Sequence, residues 1–257
     1  MPSKRDWLRI YHPRPDARVR LVCLPPAGAS APFFRGWAPL LPPEFELISV
    51  QYPGRLDRIH DQAISAMDTM ADAVAEVLLP HADQSLALFG HSMGAAVAFE
   101  VAKRLSGNPR TRLAALFVSG YPAPARRRRT AFHRSPDSVL IEELNRLGTI
   151  DETLLEDRDL LAPFLPPLRS DYQIVETYRP AAASPLTVPI TALIGDDDDE
   201  TPEAATRAWQ ELTAGDFRLE RFPGGHFYLS ERPADVVALV ASELSKADAV
   251  AYEEGLA

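Results

Sequence analysis

The stretch "LALFGHSMGAAVAFEVAKRL" (residues 86–105) changes character at its centre. An apolar run typical of a buried strand ends at Gly90, and an amphipathic helical pattern begins near Gly94. Ser92 stands between them in the pattern G-x-S-x-G. In a strand–turn–helix context this pattern predicts a nucleophile elbow, a turn so tight that a side chain two residues before or after the serine would meet backbone. We therefore expect Ser92 to be a nucleophile; the alternative is a serine that only caps the helix.

A serine hydroxyl becomes a good nucleophile only when a base takes its proton, and the base needs an acid that orients it. With a nucleophile elbow of this kind, the order along the chain is serine, acid, histidine. Two histidines follow Ser92, namely His133 and His226. His226 comes after the last predicted strand, directly behind Gly224 and Gly225, which leave the loop free to turn the ring toward the serine. His226 is therefore the predicted base.

The acid is expected in the loop after the preceding strand, where "ALIGDDDDETP" carries four successive aspartates. Adjacent carboxylates repel one another, so most of this run is expected to be solvated. The spacing favours Asp198, three residues after Gly195, which ends the predicted strand. Asp197 and Asp199 remain alternatives.

Hydrolysis through a tetrahedral intermediate requires two backbone N–H donors for the oxyanion. One donor is expected from Met93, directly after the nucleophile. The other is expected from the loop "CLPPAGASAPFF" after the first predicted strand, where Ala27, Gly28 and Ala29 are small enough to let a ligand approach the backbone. An ordinary turn is the alternative interpretation of this loop.

Six runs of the chain are largely apolar throughout, which is typical of strands covered on both faces: "VRLVCLP", "FELISVQ", "SLALFG", "LAALFVSG", "PITALIG" and "FRLERFPG". Helical patterns lie between several of them, and a last one, "PADVVALVASELSKA", follows the sixth. This alternation predicts an α/β fold with an open, mostly parallel sheet and helices on both faces.

The length favours a single domain over residues 1–257. Segment 125–180 interrupts the alternation, because it carries the helix-like pieces "SVLIEELNRLG", "ETLLEDRDLLAPF" and "LRSDYQIVETY" and no strand pattern. We interpret it as a helical lid inserted over one end of the sheet.

The formal net charge of −9 disfavours nucleic acid and anionic membrane surfaces as partners. The single cysteine, Cys23, excludes an internal disulfide and a multi-cysteine zinc site. The N-terminal stretch lacks the apolar centre of a signal peptide, and no apolar run approaches the roughly 20 residues that cross a bilayer. These features predict a cytoplasmic protein.

Six motifs, in their order and spacing, resemble those of the type II thioesterases of polyketide and nonribosomal peptide assembly lines: "LPPAGASAPFFRGWAPLLP", "VQYPGRLDR", "FGHSMGAAVAFEVA", "LPPLRSDYQIVETY", "ITALIGDDDDETPEAATRAW" and "FPGGHFYL". The resemblance spans nearly the whole chain. It implies an α/β-hydrolase fold with a helical lid, and a serine-dependent enzyme that hydrolyses acyl thioesters from the phosphopantetheine arm of acyl or peptidyl carrier proteins. It also implies Ser92 as nucleophile, His226 as base, Asp198 as orienting acid and the Ala27 and Met93 amides as oxyanion donors, with no metal or organic cofactor.

Three positions depart from the family pattern, two of them in the oxyanion loop. The oxyanion loop reads Pro26-Ala27-Gly28-Ala29 where family members commonly have His-Ala-Gly-Gly, and Tyr52 stands where a leucine is more usual. A backbone donor tolerates side-chain changes, so the oxyanion prediction is unaffected. Because the carrier proteins of this family are acidic, the basic run Arg126–Arg129 is a candidate docking site; a solvated loop is the alternative.

Two other functions remain open at this point. A stand-alone medium-chain fatty acyl thioesterase or a carboxylesterase would keep the same three catalytic residues. An inactive hydrolase fold that binds a ligand would usually have lost one of them, whereas Ser92, His226 and several aspartates are present.

Overall fold

The computed structural model describes residues 7–147, 161–181 and 184–254, with side chains up to residue 247. Within these residues one seven-stranded sheet forms, with its strands in the order β1-β3-β2-β4-β5-β6-β7. The strands are β1 (Leu8–Arg9), β2 (Val19–Leu24), β3 (Phe45–Val50), β4 (Ser85–His91), β5 (Leu113–Ser119), β6 (Ile190–Gly195) and β7 (Phe217–Phe222). Neighbouring strands are parallel except β1, which pairs antiparallel with β3. The predicted α/β fold with a mostly parallel sheet is confirmed.

The six predicted strands are β2 to β7. Strand β1 was not predicted, because two residues are too short to carry a period-2 pattern. It adds an edge to the sheet through the pairs Leu8 with Val50 and Arg9 with Ser49.

The α-helices of the described residues are α1 (Met67–Leu78), α2 (Met93–Ser106), α3 (Asp137–Arg146), α4 (Leu165–Thr177), α5 (Glu203–Arg207), α6 (Tyr228–Glu231) and α7 (Pro233–Glu254). A ten-residue 3₁₀ helix, Ala31–Leu40, follows the loop after β2; the sequence had suggested only a loop there. None of the described helices combines the length and the apolar character that crossing a bilayer requires.

The core lies on both faces of the sheet, as strand β2 illustrates. Val22 and Leu24 belong to the apolar cluster that contains α1 and α2. Leu21 and Cys23 point to the opposite cluster, which contains α7 and the 3₁₀ helix. All four side chains are fully buried, because successive residues of a strand face opposite sides. Because both faces of the sheet are covered, a functional site is expected at the carboxyl ends of the parallel strands, where the connecting loops meet.

Helices α3 and α4 lie between β5 and β6 and share a small apolar cluster of their own, made of Leu140, Leu165, Leu168 and Tyr172. Two of the three helix-like pieces predicted in this segment are therefore helical. The middle piece falls mostly on residues 148–160, outside the described residues. The single domain 1–257 and the lid at 125–180 remain predictions.

Candidate active site

Ser92 lies on the turn between β4 and α2, with φ 52° and ψ −120°. This backbone conformation is costly for a residue with a side chain. The turn brings other backbone very close: a Cβ at Gly90 would lie 2.1 Å from the carbonyl oxygen of Gly94, and a Cβ at Gly94 would lie 2.0 Å from that of Leu24. Only glycine fits these two positions, as the sequence pattern predicted.

His226 follows β7, and its Nδ1 lies 2.8 Å from Oδ2 of Asp198. The same carboxylate accepts hydrogen bonds from the Thr201 hydroxyl at 2.7 Å and from the Glu200 amide at 2.9 Å. Burial raises the pKa of Asp198. This effect is outweighed by the hydrogen bond and charge of His226 and by the hydrogen bonds from Thr201 and Glu200, so the pKa lies below its ordinary value. The carboxylate therefore stays ionised beside the histidine.

The four aspartates differ sharply in exposure. Asp196, Asp197 and Asp199 are exposed, whereas Asp198 is buried. The two loops that carry Asp198 and His226 approach closely because Gly195 has no side chain: a Cβ there would lie 2.4 Å from the carbonyl oxygen of Gly225.

One cavity collects the predicted site residues: Ser92, His226, Ala27 and Met93 all line it. Met93 begins α2, where the first N–H groups of a helix have no carbonyl partner within it. Ala27 lies in a turn closed by a hydrogen bond from the Ala29 amide to the Pro26 carbonyl, 3.1 Å. Asp198 is not part of the cavity wall but contacts His226, which is. The structure thus brings all five residues together at the carboxyl ends of the strands.

The Ser92 hydroxyl makes no hydrogen bond within the described part of the chain. The bond between Ser92 and His226 is therefore not formed in this structure. Such bonds are often long or poorly aligned in free enzymes and tighten when substrate binds.

Apart from Pro26, which precedes Ala27, the rest of the cavity wall comes from the segment between β5 and β6 and from two residues near the histidine–aspartate pair. The residues are Gly120, Tyr121, Pro122, Arg127, Arg128, Thr130, Phe132, Glu143, Leu144, Leu147, Tyr172, Val175, Glu200 and Phe227. Helices α3 and α4 thus contribute to the wall of the cavity that Ser92 faces.

A second histidine lies beneath the site and was not singled out from the sequence. His91 is fully buried, and its ring centroid is 5.0 Å from that of His226. Its Nδ1 lies 2.9 Å from the Ser119 hydroxyl, which is in turn 2.6 Å from the Tyr228 hydroxyl. Gly120 makes room for the two rings, since a Cβ there would lie 2.5 Å from Cε1 of His91. Nothing in the sequence around these residues signals the network, because its members are 28 and 109 residues apart along the chain.

His91 is expected to make folding sensitive to mild acid. Burial lowers the pKa of its imidazole well below the ordinary 6.5, and the neighbouring His226 lowers it further. The folded protein keeps the ring neutral while the unfolded chain takes up a proton below pH 6.5, so stability is full above that pH and is lost as the pH falls. The free energy of unfolding should decrease by up to about 1.4 kcal/mol per pH unit from this one group.

Urea denaturation of the parent protein and of His91→Asn between pH 7.5 and about 5 measures the effect. The variant should be less stable at pH 7.5 but lose less stability on acidification, whereas a His12→Asn variant, changed at an exposed position, should match the parent. An equal pH slope in His91→Asn and the parent would contradict the prediction.

The fold and the site together define a class of protein. A serine on a strand-to-helix turn, beside a buried histidine–aspartate pair at the carboxyl edge of a mostly parallel sheet, makes this an α/β-hydrolase whose chemistry centres on a serine.

The family follows from similarity to known proteins. Residues 19–244 match the thioesterase domain family, so the chain belongs to that family. Thioesterase PikA5 of Streptomyces venezuelae is 41% identical over 227 residues, which cover 88% of this chain and 81% of the relative. Two solved structures of type II thioesterases superpose closely. BorB, from the borrelidin biosynthetic cluster, has a TM-score of 0.86 at 42% identity and covers 93% of this chain and 97% of its own. YbtT, from the yersiniabactin NRPS/PKS pathway, has a TM-score of 0.84 at 28% identity and covers 94% and 99%.

The resemblance to type II thioesterases seen in the sequence is therefore confirmed, and the protein is a serine-dependent thioester hydrolase.

Proposed function

We propose that this protein hydrolyses acyl groups from the phosphopantetheine arm of acyl or peptidyl carrier proteins, as an editing type II thioesterase. Ser92 is the nucleophile, His226 the general base and Asp198 the acid that orients the base. The observation that carries the proposal is the buried contact between His226 Nδ1 and Asp198 Oδ2, 2.8 Å, at the cavity that His226 shares with Ser92. With Nδ1 engaged by the carboxylate, Nε2 is left to take the serine proton.

The reaction runs in two halves. Ser92 Oγ attacks the thioester carbonyl while His226 Nε2 takes its proton, and the Ala27 and Met93 amides donate hydrogen bonds to the oxyanion. The carbon–sulfur bond then breaks, and His226 returns the proton to the departing thiol. Water, deprotonated by the same histidine, then attacks the carbonyl of the acyl-enzyme. The ester bond to Ser92 Oγ breaks, His226 returns the proton to that oxygen, and the free acid leaves.

The segment 125–180 acts as a lid in this proposal. Its helices α3 and α4 supply Glu143, Leu144, Tyr172 and Val175 to the cavity wall, so the acyl group would lie between the lid and the sheet edge. The type II thioesterases from the borrelidin and yersiniabactin pathways, similar over more than nine tenths of the chain, support the substrate class. A cytoplasmic location belongs to the same proposal and rests on cysteine usage, since Cys23 alone cannot form an internal disulfide.

The test is a hydrolysis panel of acetyl, propionyl, malonyl, longer acyl and aminoacyl groups, each carried by a carrier protein and by p-nitrophenol where the ester is stable. We expect kcat/KM to be higher for the carrier-bound thioester than for the matched ester. Turnover of the esters alone would indicate a carboxylesterase. A strong preference for medium-chain fatty acyl groups would indicate the medium-chain thioesterase.

Two of the four arginines in the basic run are expected to bind the carrier protein. Arg127 and Arg128 line the active-site cavity, whereas Arg126 lies 3.8 Å from the carboxylate of Glu211, outside that cavity. Replacing Arg127 and Arg128 with glutamate should raise KM for an acyl-carrier protein on the order of tenfold at low salt, because like charge now faces an acidic partner. The difference should shrink as salt is added.

The matched control is the pair Arg126→Glu and Arg129→Glu, which changes the net charge by the same amount. Initial rates over a range of carrier-protein and salt concentrations give KM for both double variants. Equal effects of the two pairs would mean that only the overall charge of the protein matters and would contradict a local contact.

A further inference from the structure

The loop that supplies the proposed donor Ala27 is held in shape by side chains from distant parts of the chain. The amide of the next residue, Gly28, donates a hydrogen bond to Oδ2 of Asp171 at 2.8 Å. The carbonyl of Ala29 accepts a hydrogen bond from Nη1 of Arg55 at 2.9 Å. The two residues that follow Ala27 therefore have their backbone groups fixed by one carboxylate and one guanidinium.

Asp171 and Arg55 also bind each other. Arg55 Nη1 lies 2.7 Å from Oδ2 of Asp171, and Nη2 lies 2.8 Å from Oδ1. The Asp171 side chain is 0% exposed and the Arg55 side chain 6%. A two-pronged contact of this kind fixes the orientation of both groups, and here it ties helix α4, which carries Asp171, to the loop after β3, which carries Arg55.

Helix α4 also packs directly on the loop. Gly28 has φ +76°, and a Cβ at this position would lie 3.1 Å from Cδ1 of Leu168 in α4. At the start of the same loop, the Tyr52 hydroxyl donates a hydrogen bond to the Pro25 carbonyl, 3.3 Å. The same helix contributes Tyr172, the residue after Asp171, to the wall of the active-site cavity.

Stability alone gives little reason for a buried ion pair. Replacing such a pair with apolar residues of similar size is often neutral or stabilising, because removing two charges from water is costly. An apolar pair would, however, leave the Gly28 amide and the Ala29 carbonyl without partners and so release the loop. Oxyanion donors act only within a narrow range of distances from the developing charge, so the shape of this loop bears on the rate.

We propose that Asp171 and Arg55 are positioning residues that hold the Ala27 amide at the oxyanion. Helix α4 thereby forms the wall of the acyl site and, through Asp171, sets the geometry of the oxyanion hole. The inference rests on the proposed roles of Ser92 and Ala27. It explains why the motifs "VQYPGRLDR" and "LPPLRSDYQIVETY" accompany a catalytic apparatus to which they contribute no reacting group.

The test compares Asp171→Asn with the parent enzyme in hydrolysis of a p-nitrophenyl ester and in binding of two inhibitors. A trifluoromethyl ketone adds to the serine and places an oxyanion in the hole, whereas a thioether analogue of the substrate does not. The variant should lose about 10- to 100-fold in kcat with little change in KM, a loss smaller than removal of an oxyanion donor. Its affinity for the ketone should fall by a similar factor while its affinity for the thioether is unchanged.

Glu176→Gln is the matched control on the same helix. The Glu176 carboxylate is buried and accepts hydrogen bonds from the Phe132 and His133 amides at 2.7 and 2.9 Å rather than from the oxyanion loop. The Glu176→Gln variant should have a lower Tm than the parent, but its affinity for the ketone should not fall relative to its affinity for the thioether. If Asp171→Asn behaves in the same way, the pair is merely structural and the inference is wrong.

A double variant, Arg55→Met with Asp171→Leu, covers the case in which Asp171→Asn does not fold. It should fold, because no charge is left unpaired, yet remain slow and bind the ketone weakly; full activity would overturn the inference. Failure of the inference is distinct from failure of the proposed function. If the inference fails, Asp171→Asn binds the ketone as tightly as the parent does. If the proposed function fails, Ser92→Ala still hydrolyses the ester and binds the ketone.

Discussion

Replacing Ser92 with alanine is expected to lower kcat for an acyl-carrier protein about 10⁴- to 10⁶-fold. The variant loses the only atom that forms the acyl-enzyme, while the His226–Asp198 contact and the backbone amides remain. Single-turnover release of a labelled acyl group from the carrier protein measures the loss, because this assay reads chemistry separately from product release. Binding of the substrate should persist, since the cavity wall is unchanged.

Two controls separate loss of chemistry from loss of folding. Ser106→Ala changes an exposed serine at the end of α2 and should leave kcat unaltered. Ser92→Gly should be as inactive as Ser92→Ala but more stable by about 1 kcal/mol, because glycine tolerates the φ of 52° at this position. Turnover by Ser92→Ala within tenfold of the parent would refute the role of Ser92.

Replacing Asp198 with asparagine is expected to lower kcat about 10⁴-fold. The amide keeps the size of the side chain but removes the negative charge that stabilises the imidazolium, and it no longer selects the tautomer with a proton on Nδ1. The matched controls are Asp197→Asn and Asp199→Asn, which change exposed side chains and should keep kcat within about twofold. Steady-state kinetics on one acyl-carrier substrate measures kcat for all three variants. If kcat falls strongly in Asp197→Asn or Asp199→Asn but not in Asp198→Asn, the orienting acid is a different aspartate.

The same substitution changes the response of the fold to strong acid. The pKa of Asp198 in the folded protein lies below its ordinary 3.8, so its stabilising contribution is fully present above pH 3.8 and is lost as the pH falls through the folded-state value. Asp198→Asn should lack this part of the acid-induced loss of stability. Unfolding curves of parent and variant between about pH 5 and pH 2.5 measure the difference.

Much of the fold could be predicted because its signals are local. Strands covered on both faces are apolar at nearly every position, and this identified β2 to β6. The edge strand β7 carries Arg218, Glu220 and Arg221 and has this character only in part. Gly90 and Gly94 could be predicted as well, since the elbow permits no side chain at either position. Strand β1 and the 3₁₀ helix at Ala31–Leu40 escaped prediction because two residues carry no periodicity and because a 3₁₀ helix lacks the 3.6-residue pattern.

The candidate site was predictable only in part. His226 could be chosen by elimination, since the chain offers two histidines after Ser92. Asp198 was chosen by spacing among four identical neighbours, and burial distinguishes it in the structure: its carboxylate contacts His226 while Asp196, Asp197 and Asp199 remain exposed.

The sequence by itself determined the parallel sheet, the elbow at Ser92 and the family to which the chain belongs. Only the tertiary structure decided which aspartate contacts His226, which arginines border the cavity, and that Asp171 binds the Gly28 amide across 143 residues of chain. The physical reason is that strand periodicity and tight turns are local properties of a few consecutive residues. Contacts between loops depend instead on the order of the strands and on how the helices pack over their ends.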